Sequence, residues 1–428
     1  MTATASRRVA VVGAGYVGLT TAACLAHLGH EVRCSDRDAA RVELLSSGGT
    51  PIFEDGLEDL IRTGLASGHL AFDTDNTWAV EGAEFTFLCV PTPEGPDGWP
   101  DMSFIETVAT EIGLHLADES IVVNKSTVPV GSADVVGRVL GRSDVQVVSN
   151  PEFLREGLAV HDFLHPDRIV IGALDEETAV RVSGLFAGID APVIFTDPST
   201  AETIKYVSNA FLATKVSFVN AVAALCEAVG VDIRQVCIGM GLDPRIGSSF
   251  LRPGPGWGGS CLPKDSAGLV RIAEEAGYDF SLLKSVIAVN EEQYDRVVRK
   301  AVRLAGGSLT GARVALWGVT FKARTDDLRC SPALEIARRL VQAGATVAAY
   351  DPTLSDPLEG IEVAADAYAA CEGASVIVLA TEWEEFRWLD FDKAGNVMAR
   401  RAIVDARNLL DPAVLRRAGF GYEGIGIL

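Results

Sequence analysis

The chain has 428 residues, 48% apolar and 22% charged, an ordinary globular balance in a chain too long for one hydrophobic core. Its formal net charge is −21, from 37 basic and 58 acidic residues, which argues against non-specific nucleic-acid binding. Cys24, Cys34, Cys89, Cys226, Cys237, Cys261, Cys330 and Cys371 are scattered, with no Cys-x-x-Cys pair; with no secretory signal and no apolar run of about 18 residues standing out, the expectation is no disulfide framework, zinc site or membrane span, and a reducing, cytoplasmic setting.

In chain order, residues 1–8 form a short polar lead. Val9-Ala10-Val11-Val12 then predicts a buried parallel strand. Gly13-Ala14-Gly15-Tyr16-Val17-Gly18 follows at once, Leu19 to Leu28 has helical composition, Gly29 ends it, and Val32 to Ser35 predicts a second strand with Asp36 at its end. That is strand, Gly-x-Gly-x-x-Gly, helix, strand, acid, with 36 − 18 = 18 residues from last glycine to acid. In such a unit Gly13 makes the tight turn, Gly15 lets a pyrophosphate approach the backbone, and Gly18 lets helix and strand pack. The pyrophosphate rests on free N–H groups at the helix start. Asp36 accepts hydrogen bonds from ribose hydroxyls and repels a 2′-phosphate, so the cofactor expected is NAD rather than NADP. Arg41, one helical turn on, counts against that preference unless it touches the adenosine end.

The alternation continues. Phe85 to Val90, Ile121 to Asn124 and Val145 to Ser149 predict further strands, each followed by polar residues. Thr92, Thr127, Glu152 and Glu156 all fall just past strand ends, where open parallel sheets bind ligands. Taken singly, each is equally a helix cap or loop residue.

Ser199 to Gly230 lacks proline and glycine until its end and predicts one long helix, capped by Ser199 or Thr200 with Glu202 in its first turn. Lys205 and Asn209, four apart, share a face and suit a developing oxyanion; the bland alternative is a solvated lysine beside a packed asparagine. Asn220 and Glu227 either continue that polar stripe or face water. Arg245 and Arg252 are partners for phosphate or carboxylate beside a glycine-rich loop. That loop, Pro253-Gly-Pro-Gly-Trp-Gly-Gly-Ser-Cys-Leu-Pro-Lys-Asp265, crowds glycines around Cys261, leaving little bulk between the thiol and a ligand. Lys264 favours a thiolate and Asp265 can move protons. The alternative is a turn-rich loop around an inert cysteine.

The last third repeats the alternation: strands at Arg313–Gly318, Thr346–Tyr350, Ser375–Ala380 and Ile403–Val404, and a helix at Ala333–Ala343. It lacks the glycine fingerprint, so it suits a nucleotide sugar better than a second dinucleotide. The fold class expected is α/β, two doubly wound Rossmann-like domains joined by a long central helix, with boundaries 1–198, 199–300 and 301–428.

These motifs, collinear over nearly the whole chain, resemble the UDP-glucose/GDP-mannose dehydrogenase family. The resemblance rests on the glycine fingerprint, Lys125-Ser-Thr-Val-Pro-Val-Gly131, Asn150-Pro-Glu-Phe-Leu-Arg-Glu-Gly157 and His165-Pro-Asp-Arg-Ile-Val-Ile-Gly172. It continues through Ala201-Glu-Thr-Ile-Lys-Tyr206 with Asn209, Gly258-Gly-Ser-Cys-Leu-Pro-Lys-Asp265, Phe321-Lys322 and Thr325-Asp-Asp-Leu-Arg329. It implies a four-electron oxidation at C6 of a nucleotide sugar, with NAD as acceptor and Cys261 as covalent nucleophile. Lys205, Asn209, Asp265, Glu152, Glu156 and Thr127 are the other catalytic positions it implies. Val17, Thr92, Thr127, Glu156, Lys264 and Arg329 join Gly13, Gly15, Gly18, Asp36 and Arg41 at the cofactor. Glu152, Phe153, Leu154, Lys205, Asn209, Arg245, Phe250, Leu251, Gly254, Gly258, Lys322 and Arg407 are implied at the sugar nucleotide.

Pro166-Asp167-Arg168 and Asp405-Ala406-Arg407-Asn408 favour UDP-glucose over GDP-mannose, and Phe153 to Gly157 disfavours a UDP-N-acetylhexosamine. Trp257 stands where Phe or Tyr is usual, reshaping the sugar pocket on this reading, and Ala221 stands where a glutamate commonly follows Asn220. Two other classes compete. A single-oxidation hydroxyacid dehydrogenase has no use for Cys261. A non-catalytic NAD-dependent sensor needs neither Cys261 nor Lys205. The resemblance also implies a homodimer or higher homo-oligomer, with no nucleic-acid, membrane or metal partner.

Overall fold

The computed structural model describes residues 6–93, 95, 99–354 and 356–427. Residues 1–5, most of the expected polar lead, lie outside them. The chain divides into two compact units, Met1–Ser208 and Asn209–Leu428.

The first unit is built on strands β1 (Arg8–Val12), β2 (Glu31–Ser35), β3 (Leu70–Asp73), β4 (Phe85–Leu88), β5 (Ile121–Asn124), β6 (Gln146–Ser149), β7 (Ile169–Gly172) and β8 (Val193–Thr196). They lie in the order β3-β2-β1-β4-β5-β6-β7-β8. The first six are parallel, in the strand order of a dinucleotide-binding sheet, and β7 then runs antiparallel to β6. β4, β5 and β7 are buried at every position, as expected of strands covered on both faces. Side chains alternate between two cores: Val9, Val11, Phe85, Phe87, Ile121 and Val123 pack on one face, Ala10, Val12, Leu88 and Val122 on the other.

Register positions the functional loops. Val12 pairs with Ser35 and Leu88, Leu88 with Asn124, and Asn124 with Ser149. One row of paired residues therefore ends five strands at the same edge. β3, β7 and β8 were not expected as strands. β3 is short, β7 lies inside a motif, and β8 is a half-exposed edge strand without the burial that marks a core strand.

The second unit carries β9 (Arg313–Trp317), β10 (Thr346–Tyr350), β11 (Glu362–Val363), β12 (Ala374–Leu379), β13 (Ala402–Asp405) and β14 (Gly421–Gly424), all parallel, in the order β11-β10-β9-β12-β13-β14. Relative to its first strand, this repeats the order of the first sheet's six parallel strands. Trp317 is buried at its centre, its indole N–H donating to the Ala367 carbonyl at 3.0 Å and its ring stacked on Phe386 at 5.5 Å.

The long helix spans Pro198–Val229, and the division between units falls inside it. Its start departs from expectation. Asp197 is the cap, accepting from the Thr200 N–H at 2.9 Å and its hydroxyl at 2.6 Å, because Pro198 has no N–H to lose at the first helical position. The helix is also long and apolar enough to cross a membrane by length and composition, which corrects the expectation that no such stretch exists. Glu202, Lys205, Asn209, Lys215, Asn220 and Glu227 break up the apolar run when it is read along the chain. Asn220 and Glu227 do not face water as a free stripe. Asn220 is buried and accepts from the Gly254 N–H at 2.8 Å, and Glu227 accepts from Lys300 at 2.8 Å and the Gly426 N–H at 2.7 Å.

The first unit also buries a cation. Lys125, immediately after β5, donates to the Asn150 side-chain oxygen at 2.8 Å and lies 5.8 Å from the ring centres of both Phe163 and Phe186. Burial pushes its ammonium down from 10.5 to about 8, against the nearby Cys89 and Glu152, which favour the charged form. Between these values the unfolded chain binds more protons than the folded one, so Lys125 makes stability rise with pH across that window. The stability of the parent relative to Lys125→Met, from denaturant unfolding at a series of pH values, is expected to increase between about pH 8 and pH 10.5 by at most ~1.4 kcal/mol per pH unit. A difference that stays flat or falls would show that Lys125 keeps its proton throughout.

Candidate active site

The turn after β1 has the construction expected of a pyrophosphate cradle. A side chain at Gly18 would meet the Gly13 carbonyl at 1.8 Å, so only glycine lets the helix Tyr16–His27 approach the strand. At Gly15 nothing lies within 4 Å, and no side chain caps that helix. An open backbone face at an uncapped helix start fits a dinucleotide. Val17 lies in the first helical turn, half-buried against the core. Asp36, at the end of β2, accepts from the Ala14 N–H at 2.8 Å and from Arg41 at 2.9 Å through one oxygen, and from the Asp38 N–H at 3.0 Å through the other. Arg41 is thus neutralised by the acid expected to select the cofactor.

The loops after β4, β5 and β6 converge at the same edge. Thr92 donates its hydroxyl proton to the Thr127 carbonyl at 2.7 Å, tying the first two together. Glu152 and Lys205 form a buried ion pair at 2.6 Å, their side chains 6% and 4% exposed. Lys205 also donates to the Glu152 carbonyl at 2.7 Å, and the Leu154 N–H donates to the Glu152 carboxylate at 2.7 Å. Burial alone would raise the Glu152 carboxyl. The Lys205 charge and hydrogen bond, the Leu154 N–H and Lys125 reverse this and hold it below the usual range. The expected alternative of a solvated lysine is therefore wrong. Phe153 lies under the Arg168 guanidinium, 3.8 Å from its ring centre. Leu154 and Glu156 are half-buried on the same loop.

Glu202 escaped notice as more than a first-turn acid. Its carboxylate accepts from the Gly131 N–H at 2.6 Å, the Ala133 N–H at 3.1 Å and the Ser149 hydroxyl at 2.8 Å. It caps the helix Ser132–Leu140, which no side chain of its own caps, and so fixes the Thr127 loop from outside. Burial raises its pKa, and these bonds oppose the rise. Its spacing of three from Lys205 was the available signal. A small cleft lined by Asn124, Thr127, Ser149, Pro151, Glu202 and Lys205 lies between these groups.

In the second unit Cys261 is the N-cap residue of the helix Leu262–Glu275 and is half-buried. That position favours a thiolate. Burial pushes the thiols of Cys24, Cys89 and Cys371 up to about 12. Asp265 is fully buried, accepting from the Asn209 amide at 2.6 Å and paired with Lys264 at 2.9 Å. Lys264 thus has a carboxylate partner besides any effect on the thiol.

The glycines beside Cys261 do not clear space as expected. A side chain at Gly258 would meet the Cys330 carbonyl at 2.0 Å, and one at Gly259 the Phe321 ring at 2.8 Å, so the loop packs on its own unit. Trp257 is likewise no open pocket wall. It is 6% exposed, its indole N–H donates to Ser217 at 2.9 Å, and its backbone is held by Asn290 and Tyr294.

Arg407, past β13, donates to the carbonyls of Ala380 and Phe321, both at 2.8 Å, and pairs with Glu382 at 2.8 Å. Gly254 abuts it, and Lys322 follows Phe321 with its ammonium 5.4 Å from that ring. Gly254 and the Arg407–Glu382 pair therefore lie together past the carboxyl end of β13, and Lys322 follows the Phe321 carbonyl that Arg407 binds. Leu251 is buried, and Phe250 is 40% exposed with φ 61°. Arg245 and Arg329 are not brought into this group. Each forms a two-toothed pair with a neighbouring acid, Asp243 and Asp327, and extends outward.

Comparison with known proteins agrees with this division of labour. Residues 7–190 match the NAD binding domain of the UDP-glucose/GDP-mannose dehydrogenase family, 199–292 its central domain, and 315–412 its UDP binding domain. The chain is 42% identical to the UDP-glucose 6-dehydrogenase of Rhizobium meliloti, covering 98% of this chain and 99% of that one. It is 43% identical to that of Pseudomonas aeruginosa, covering 98% and 97%. A UDP-glucose dehydrogenase structure from Pyrobaculum islandicum superposes with a TM-score of 0.91 at 36% identity, over 100% of this chain and 99% of that one. With an open glycine turn in one unit, a cation-lined sheet edge in the other and all three domain patterns in sequence, the chain belongs to the UDP-glucose/GDP-mannose dehydrogenase family.

Proposed function

We propose that the chain oxidises C6 of UDP-glucose to the carboxylate of UDP-glucuronate in two NAD-dependent steps, holding the half-oxidised sugar on Cys261. The observation that carries this reading is a half-buried cysteine at a helix start, near the buried Asp265–Asn209 pair and the half-buried Lys264. The family's NAD and UDP binding patterns and its relatives' names support the cofactor and substrate. The same patterns support a division at 1–198, 199–300 and 301–428, and eight free cysteines support a reducing cytoplasm.

Bound at Gly13, Gly15, Gly18 and Asp36, NAD+ supplies the hydride acceptor for each oxidation. Removal of the C6 hydroxyl proton falls to Lys205 or to a water held by Asp265. Cys261 Sγ then adds to the aldehyde carbon, and the carbonyl electron pair becomes an oxyanion met by Lys205 and Asn209. After the second oxidation the adduct is a thioester. Water, positioned by Thr127, Glu156 and Asp265, adds to it, the C–S bond breaks, and thiol and acid are released. Lys322 and Arg407 hold the nucleotide.

We further propose a homodimer, or a larger assembly built from one, formed along the long helix. Val207, Phe211, Phe218, Leu225 and Val229, spaced 4, 7, 7 and 4 residues apart, are each 49–62% exposed. This heptad-like stripe is suited to a second copy, and Ala221 lies on the same exposed side. On this reading Arg245, which extends outward, enters the partner's pocket.

Cys261→Ser is expected to yield at most one NADH per sugar, against two for the parent, with aldehyde as product; two NADH at the parent rate would reject the covalent role. A panel with GDP-mannose and UDP-N-acetylhexosamines separates the competing substrates. A single-oxidation enzyme yields one NADH and a sensor none. With NADP in place of NAD, kcat/KM is expected to fall by about 100-fold or more, roughly two lost interactions with Asp36; equal values would overturn the cofactor assignment. Phe218→Glu is expected to halve the mass seen by light scattering, and an unchanged assembly would move the interface elsewhere.

A further inference from the structure

Tyr16 lies in the glycine turn, yet its phenol serves a different segment. Its O–H donates to a carboxylate oxygen of Glu54, and the phenol oxygen accepts from the Gly157 N–H at 2.7 Å. The other Glu54 oxygen accepts from the Val160 N–H at 3.4 Å. Glu54 is 8% exposed, and Tyr16 is half-buried. Burial, then the hydrogen bond and charge of Glu54, hold the phenol proton far above its ordinary range, and the charge of Glu156 adds to this. Glu156 is thus close enough for its charge to reach Tyr16.

Three stretches far apart in sequence meet here: the cofactor turn, residues 50–57, and the loop carrying Glu152 and Glu156. Packing alone does not require this chemistry, since a phenylalanine fills the same volume. The hydroxyl and carboxylate add direction: they pin the backbone of Gly157, the residue after Glu156.

We propose that Tyr16 and Glu54 are positioning residues, a buried latch that fixes the loop bearing Glu152 and Glu156 to the dinucleotide turn so that the water-positioning acid stands in register with the cofactor. The catalytic part of this inference rests on the proposed double oxidation. The latch itself does not, and the experiment separates the two.

Hydrogen exchange at the Gly157 amide reads the latch without turnover. In Tyr16→Phe it is expected to speed up by about tenfold or more, the loss of roughly one buried hydrogen bond. Unchanged exchange overturns the latch even if the double oxidation is correct. In turnover, Tyr16→Phe is expected to lower kcat by about 10-fold to 100-fold, with KM for sugar and NAD changed less than about threefold. Thioester on Cys261 should accumulate, visible by intact mass after acid quench, because Glu156 no longer places the water. A stability effect alone does not trap that adduct. Glu54→Leu should match Tyr16→Phe, and the double variant should be no slower than the worse single one. Additive losses, or kcat within twofold of the parent without thioester, overturn the catalytic role. Should Tyr16→Phe not fold, Glu54→Gln carries the test: it keeps the shape but weakens the acceptor, and parent-like exchange and kcat would overturn the proposal. If the parent forms no acid from UDP-glucose while exchange responds as expected, the reaction assignment has failed and the latch stands.

Discussion

The buried ion pair of Glu152 and Lys205 is the interaction on which the arrangement of the first unit's strand-end loops depends. Two opposite charges are taken almost wholly out of water, at a desolvation cost that only close pairing and further hydrogen bonds offset. The chain supplies both: a 2.6 Å contact, a second bond from Lys205 to the Glu152 carbonyl, and the Leu154 N–H. Removing one partner leaves a lone buried charge, a loss of about 3–5 kcal/mol in comparable pairs. The arrangement therefore keeps an ammonium and a carboxylate in place before any substrate arrives. Glu202, three residues from Lys205 on the same helix, restrains the neighbouring loop, so one stretch of helix controls two strand ends.

The two sheets show how one topology takes two ligands. Both repeat the same order of parallel strands, and in both the second strand is followed at once by an aspartate. In the first sheet Asp36 takes one N–H of the glycine turn and leaves Gly15 open. In the second, Asp351 accepts from the backbone N–H groups of Val319 and Thr320 and from the Trp383 indole. That carboxylate engages two backbone N–H groups of the turn after the first strand. Lys322 and the Arg407–Glu382 pair lie near this edge.

Much of this was legible in the chain. The strands Ile121–Asn124 and Thr346–Tyr350 could be placed to the residue because apolar runs end at sharp polar boundaries. The glycine fingerprint announced its turn because each glycine has a separate steric reason. The antiparallel β7 and the edge strand β8 were not legible, since strand direction and partner leave no local mark. The partners of Glu202, Tyr16 and Glu54 were hidden for a related reason. An acid or phenol records that it needs hydrogen bonds, not which distant backbone supplies them. The glycines near Cys261 misled in the opposite sense: the same residue type permits approach by a ligand or by the protein itself, and here Phe321 and Cys330 fill the space.

The tethering of Trp257 bears on how the reactive sulfur can be moved. Its indole is bonded to Ser217 on the long helix, and its backbone N–H and carbonyl to Asn290 on the helix Ser281–Leu304. Ser217 is itself bonded to the Val286 carbonyl on that second helix. The segment ahead of Cys261 is therefore bonded to two helices that are bonded to each other. Displacing Trp257 means giving up bonds to both helices at once, and only Gly258, Gly259 and Ser260 separate that anchor from the sulfur.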